Sequence, residues 1–252
     1  MISYIFTYRQ IMEDRYLNLL RMLEWLNIFD FEVIIIEQDT IQKLDPESLK
    51  ETNSRVKHKF VKSGHLFNRA WGFNVATKFT DSDILFYADA DTIMNPEEIL
   101  KSVSLFDTYQ CISPFLSLID LPLHITNRID IPKFDYNNTY GLPIRGGINM
   151  CSNIVGFTRE GINKVNGWDE RFEGWGGDDD IQSIKSQELL KCLIMPTTAY
   201  HLHHSRSTLN GTNQHPNYTR NLHLALYYSA HPKQLVKDTI ELKNNGEDNK
   251  YE

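Results

Sequence analysis

Between residues 31 and 37 the chain reads Phe31-Glu-Val-Ile-Ile-Ile-Glu37. A strand shows successive side chains to opposite faces, so the unbroken Val33-Ile-Ile-Ile36 run needs apolar cover on both sides. That is the requirement of a parallel sheet packed between helices. Ile84-Leu-Phe-Tyr-Ala88 repeats the pattern, and residues 2–6 and 56–61 read as further strands. Between them Ile11, Leu19, Leu20, Leu23 and Leu26 recur at helical spacing over 11–28, as do apolar residues over 67–79. Asn95-Pro-Glu-Glu98 supplies a capping Asn, a first-turn Pro and acids at the positive dipole end, predicting a helix to residue 106. A strand at 110–115 follows. Alternating strands and helices predict an α/β fold, a mostly parallel sheet with helices on both faces.

Beyond residue 115 the pattern loosens. Residues 116–147 read as a long loop region over a site, and 149–157 as a strand leading into a short helix from 158. Residues 179–190 are helical and 192–195 a short strand. The polar stretch 237–252 is expected to fray. With 252 residues, no repeat and no linker, the expectation is one domain over 1–236 with a C-terminal tail.

Charge and cysteine content exclude some functions. Lys plus Arg number 26 against 33 Asp plus Glu, a formal charge of −7, which argues against nucleic acid as a partner. No apolar run reaches the ~18 residues of a membrane span. The apolar start, residues 1–6, lacks a basic leader, so a cytoplasmic protein is expected. Cys111, Cys151 and Cys192 are odd in number and lack metal-type spacing, as free thiols in a reducing compartment would.

Three polar clusters carry the chemistry. Asp89-Ala-Asp91 follows the 84–88 strand, at the carboxyl end where open α/β sheets bind ligands. If the backbone stays extended, both carboxylates point the same way, and hard oxygen donors suit Mn²⁺ or Mg²⁺ on a diphosphate. A solvated turn is the bland alternative, and the strand-end position weighs against it. Gly174-Trp-Gly-Gly-Asp-Asp-Asp180 sets three carboxylates behind an aromatic platform; their mutual repulsion poises one as a base. They also suit the positive end of a helix. His201, His203 and His204 crowd into four positions, which raises the prospect of a mixed Asp/His metal site.

With these clusters the chain resembles the GT-A (Rossmann-like) glycosyltransferases, above all the inverting β-1,4-galactosyltransferase group and bacterial relatives such as chondroitin-polymerase domains. Phe6-Thr-Tyr-Arg9, Phe67-Asn-Arg-Ala70, Asp89-Ala-Asp91, Gly146-Gly147, Gly174-Trp-Gly-Gly-Asp-Asp-Asp180 and His201-Leu-His-His-Ser-Arg206 carry the resemblance in order. It implies a UDP-sugar donor contacted by Arg9, Phe67 and Arg69, with Asp89 near the ribose and metal. It implies Mn²⁺ (or Mg²⁺) on Asp91 and His204, with His201 standing where the family often has Met. Asp179 matches the catalytic base, and Asp178 binds acceptor hydroxyls beside it. Trp175 touches donor phosphate and acceptor sugar, and Gly147 belongs to the substrate site. Ile144, two residues before the glycine pair, leaves room for an N-acetylated donor.

The implied reaction is inverting transfer of a hexose or N-acetylhexosamine to a carbohydrate acceptor. The chain departs from the family's animal members in lacking a transmembrane anchor, so an enzyme working in the cytosol or peripherally on a membrane is expected. Rival readings are a retaining N-acetylgalactosaminyltransferase-like enzyme, an inactive sugar-nucleotide-binding module and a metal-dependent phosphohydrolase. The loop at 207–212 is expected to order when donor binds.

Overall fold

The computed structural model of the chain describes residues 1–206, 212–242 and 246–251; the 207–212 loop lies outside them except for Thr212. In chain order the elements are β1 (Ile2–Tyr8), α1 (Glu13–Leu26), β2 (Glu32–Asp39), α2 (Pro46–Thr52), β3 (Val56–Lys62), α3 (Arg69–Lys78), β4 (Ile84–Ala88), β5 (Thr92–Met94) and α4 (Pro96–Ser104). Then come β6 (Cys111–Ser113), β7 (Ser117–Asp120), α5 (Leu123–Thr126), a 3₁₀ turn (Ile131–Lys133), β8 (Ile154–Thr158), α6 (Arg159–Lys164) and α7 (Asp178–Leu189). β9 (Cys192–Ile194), β10 (Thr198–His201), α8 (Tyr218–Ala230) and α9 (Pro232–Glu241) complete the fold.

The main sheet has seven strands in the order β3-β2-β1-β4-β8-β6-β9. β3, β2, β1 and β4 run parallel; β8 is antiparallel to both its neighbours, and β6 and β9 are again parallel. The expected two-sided burial is realised. Val33 and Ile35 join Tyr4, Phe6 and the α1 residues Leu19, Met22, Leu23 and Trp25 on one face. Ile34 and Ile36 join Ile5 and the α3 residues Ala70, Trp71 and Phe73 on the other. This is the mixed α/β, mostly parallel arrangement predicted, in one domain.

A second sheet, in the order β5-β10-β7, is entered by the short turn that leads from β4 into β5. Its register sets His201 opposite Thr92 on one side and Asp120 on the other. Neither β5 nor β7 was expected, since each is too short for an alternation to show. β7 lies inside the stretch read as loop. α2 was also missed, although Asp45 caps it by accepting from the Glu47 and Ser48 amides ahead of Pro46. The strand expected over 149–157 begins only at Ile154, because residues 149–153 turn and Asn153 sits at φ 51°.

Among the described residues of 237–252 the expected fraying is not seen. α9 runs across the 236/237 boundary to Glu241, with Thr239 buried. The Trp71 indole donates to the Glu247 carbonyl at 2.8 Å, and Tyr251 packs edge-on against Trp71. A polar composition hid these few anchoring contacts.

Gly156 on β8 shows how tightly the sheet packs. A Cβ there would stand 2.6 Å from Phe106 and 2.8 Å from Phe86. Gly156→Ala is therefore expected to destabilise the fold by roughly 1–3 kcal/mol, read as a lower urea midpoint with an unchanged slope. An unshifted midpoint would show that the two phenyl rings yield.

Candidate active site

The main sheet delivers Asp89 at the end of β4, and the chain then turns into β5 with Asp91 as its last residue before the strand. The two carboxylates do not point the same way, because the backbone does not stay extended across 90–91. Asp89 pairs with the Arg69 Nε at 3.1 Å, whereas Asp91 faces the imidazoles.

On the imidazole side, Asp91 lies 3.5 Å from His201 Nε2 and 3.3 Å from His204 Nε2. One ligand atom from each of Asp91, His201 and His204 falls within 4.8 Å of the others. Each ring's other nitrogen is engaged elsewhere. His201 Nδ1 meets Asp120 at 3.0 Å, and His204 Nδ1 meets the Ser205 carbonyl at 2.9 Å. Both Nε2 atoms are thus turned inward with Asp91, a donor set of one oxygen and two nitrogens that suits a divalent cation. His201, left open by the sequence as a ligand, stands inside this cluster.

Burial pulls His204 below its ordinary value. Burial also acts on His201, but Asp91 and Asp120 outweigh it and raise the ring. The hydrogen bond from His201, with Arg145 3.2 Å away, holds Asp120 down at about 2, so it stays a carboxylate. Asp120 is a site residue that sequence reasoning missed. Its only signal was an acid directly after the apolar pair Leu118-Ile119.

On the carboxylate side, α7 opens with Asp178, Asp179 and Asp180 in its first turn. Gly177 caps it at φ 88°, a left-handed conformation that suits glycine. A Cβ there would also lie 2.6 Å from Phe172. Arg69, at the start of α3, is the common counter-ion. Its Nη1 donates to Asp178 at 2.9 Å and to Asp179, while its guanidinium lies over Phe73 and Trp168. Expected at the nucleotide, Arg69 is engaged here with three carboxylates.

Asp179 accepts a second hydrogen bond, from Ser152 Oγ at 3.1 Å. Burial pushes its carboxyl up; Arg69 opposes this, Asp178 and Asp89 reinforce it, and the result is about 7. Burial likewise raises Asp89. Asp180 turns away to accept from Asn149 Nδ2 at 2.6 Å. Ser152 and Asn149 sit in the turn that the sequence reading assigned to a strand, so their support of the acids was not foreseen.

The remaining predicted residues ring these two clusters. Arg9 Nε donates to the Gln38 carbonyl at 2.6 Å, and its guanidinium lies 5.8 Å from the Phe67 ring, so the pair forms one edge. Trp175 is 42% exposed and tilts against Tyr218 at 5.4 Å, leaving an aromatic face in solvent. Ile144 is 54% exposed, and Gly147 sits at φ 68° with open space around its Cα. Ile144 and Gly147 flank Arg145, which bonds through its backbone to Leu118 on β7.

Comparison with known proteins agrees with this architecture. Residues 129–189 match the model of the N-terminal domain of galactosyltransferase. Over 186 residues the chain is 27% identical to the β-N-acetyl-D-glucosaminide β-1,4-N-acetylglucosaminyl-transferase of Lymnaea stagnalis, covering 74% of this chain and 29% of that protein. Over 118 residues it is 32% identical to human β-1,4-galactosyltransferase 5, covering 45% and 24%. The chain thus spans under a third of the length of these curated relatives. Staphylococcus aureus TarS 1-349, solved with UDP-GlcNAc, shares the fold at TM-score 0.60 and 11% identity, over 95% of this chain and 71% of that one. The mannosyltransferase PcManGT of Pyrobaculum calidifontis, solved with GDP-Man and Mn²⁺, shares it at 0.52 and 14%, over 95% and 73%.

The fold is therefore that of the GT-A glycosyltransferases. Within that class, the chain resembles the β-1,4-galactosyltransferase group.

Proposed function

We propose that this chain transfers a hexose or N-acetylhexosamine from a UDP-sugar to a hydroxyl of a carbohydrate acceptor, inverting the anomeric centre. One observation carries the reading. The short Asp89-Ala-Asp91 turn ties the imidazole cluster of Asp91, His201 and His204 to the carboxylate cluster of Asp89, Asp178 and Asp179. A metal-holding set and a raised carboxyl group stand side by side, as displacement at a sugar–diphosphate bond demands.

Asp91, His204 and His201 would hold Mn²⁺ or Mg²⁺, which supplies Lewis-acid neutralisation of the departing diphosphate. Asp179 takes the proton from the acceptor hydroxyl as general base. Asp178 receives that hydroxyl's neighbours, and Arg69 holds both carboxylates in place. Trp175 offers its exposed face to the acceptor ring. Arg9 and Phe67 border the nucleotide side, and Asp89 lies toward the ribose. Ile144 and Gly147 line the donor sugar, where an aliphatic side chain leaves room for an acetamido group. The reading includes a cytoplasmic location with peripheral membrane association. The names of the relatives and the sugar nucleotides bound by the structural neighbours support this choice of chemistry.

A donor screen tests it. With Mn²⁺, UDP-Gal, UDP-GalNAc, UDP-Glc and UDP-GlcNAc are offered separately and UDP release is followed. Release from an N-acetylated donor, accelerated by a carbohydrate acceptor and giving a β-linked product by NMR, is expected. An α-linked product would favour the retaining alternative, and no release from any donor would favour a binding module.

A further inference from the structure

The cysteines at 111, 151 and 192 share no sequence spacing, yet the sheet gathers them. Cys111 on β6 and Cys192 on β9 are register partners in adjacent parallel strands. Such strands lie about 4.7–4.9 Å apart, inside the roughly 4.4–6.8 Å between Cα atoms that a disulfide spans. Opposite residues also present their side chains to the same face. Cys192 and Cys151 both lie close enough to the Cys111 thiol to help push it up. Cys192 Sγ donates to the Ser186 carbonyl at 3.2 Å, and Cys151 Sγ lies 3.9 Å from Ser186 Oγ. All three thiols are free.

Access separates them. Cys111 and Cys151 are buried, whereas Cys192 is half-buried on β9, the outermost strand of the main sheet. We propose that Cys192 and Cys111 form a redox pair, in which a peroxide oxidises Cys192 and Cys111 closes a disulfide between β9 and β6. The inference stands independently of the glycosyl-transfer reading.

The order of events follows from the surroundings. The neighbouring Cys111 thiol lowers Cys192, favouring its thiolate, while burial pushes Cys111 well up. The Cys192 thiolate attacks the peroxide; an S–O bond forms, the O–O bond breaks, and hydroxide leaves and takes up a proton as water. The Cys111 sulfur then attacks the sulfenic acid. An S–S bond forms, the S–O bond breaks, and the departing hydroxide leaves as water with the Cys111 proton. Two thiols are oxidised and one peroxide is reduced. Disulfides of this kind in reducing compartments are transient and redox-sensing. This one would draw Cys192 away from the Ser186 carbonyl at the far end of α7, the helix whose first turn carries Asp178 and Asp179.

The test treats the full chain with hydrogen peroxide and maps its peptides without reduction. A peptide pair joining Cys111 to Cys192 is expected, with one titratable thiol left of the three and full reversal by dithiothreitol. The half-buried site makes C192S a mild substitution, and it should abolish the cross-link, whereas C151S should retain it. Should C151S fold poorly, the wild-type map alone decides. Three persistent thiols, irreversible oxidation of Cys192 without a cross-link, or a Cys111–Cys151 link would each overturn the proposal.

Discussion

Asp179→Asn is expected to lower transfer by about two to four orders of magnitude, the contribution of a positioned general base, while donor and Mn²⁺ still bind. The amide has the carboxylate's shape but no basicity at neutral pH. Its oxygen can still accept from Arg69, and Arg69 keeps its pairs with Asp89 and Asp178, so the framework survives the exchange. Wild-type kcat/KM should rise with pH through about 7, where burial has placed the Asp179 carboxyl, and level off above it, since only the ionised form accepts a proton. Stability runs the opposite way. The Asp179 carboxyl binds its proton more tightly folded than unfolded, so its contribution is full below the ordinary carboxylate range and is lost as pH rises toward 7. Calorimetric UDP titration alongside steady-state rates checks the result. Near-normal turnover in the variant, or a donor affinity that collapses with the rate, would remove Asp179 from the role of base.

The framework of this site was legible because it rests on long-range periodicity. Val33-Ile-Ile-Ile36 and Ile84-Leu-Phe-Tyr-Ala88 demanded cover on both faces, and the sheet supplies it. Asp91, His201 and His204 were legible as residue types, and their meeting only through the family resemblance; spacing alone could not give it, because it depends on β5 and β10 pairing across more than a hundred residues. Asp120 was out of reach. It becomes a partner of His201 only through the parallel register of β10 with β7, and a four-residue strand leaves no alternation to read. The shared direction of Asp89 and Asp91 failed for a local reason: the turn at 90–91 separates two residues that an extended chain would align. Arg69 shows a third limit. Sequence likeness gave it a place at the nucleotide but not its part among three half-buried acids, which need a cation between them.

Asp91→Ala should abolish Mn²⁺-dependent UDP binding. Asp91 is the only carboxylate in the cluster with His201 and His204 among the described residues, and without it two imidazoles face each other with no anionic oxygen to hold a hard cation. The loss should exceed the ~10–100-fold that removing a partner behind a metal ligand costs, and Asp120 provides that smaller comparison. Asp120→Asn leaves every ligand atom in place but withdraws the charge that faces His201 Nδ1 and keeps Nε2 turned toward Asp91. Its Mn²⁺ affinity should fall within the ~10–100-fold range. Titrating UDP into each protein with and without Mn²⁺ separates the cases: wild type gains affinity with the ion, Asp120→Asn gains less, and Asp91→Ala gains none. An Asp91→Ala protein that still binds UDP more tightly with Mn²⁺ would place the ion elsewhere. The imidazole cluster would then be a structural clasp between β5 and β10.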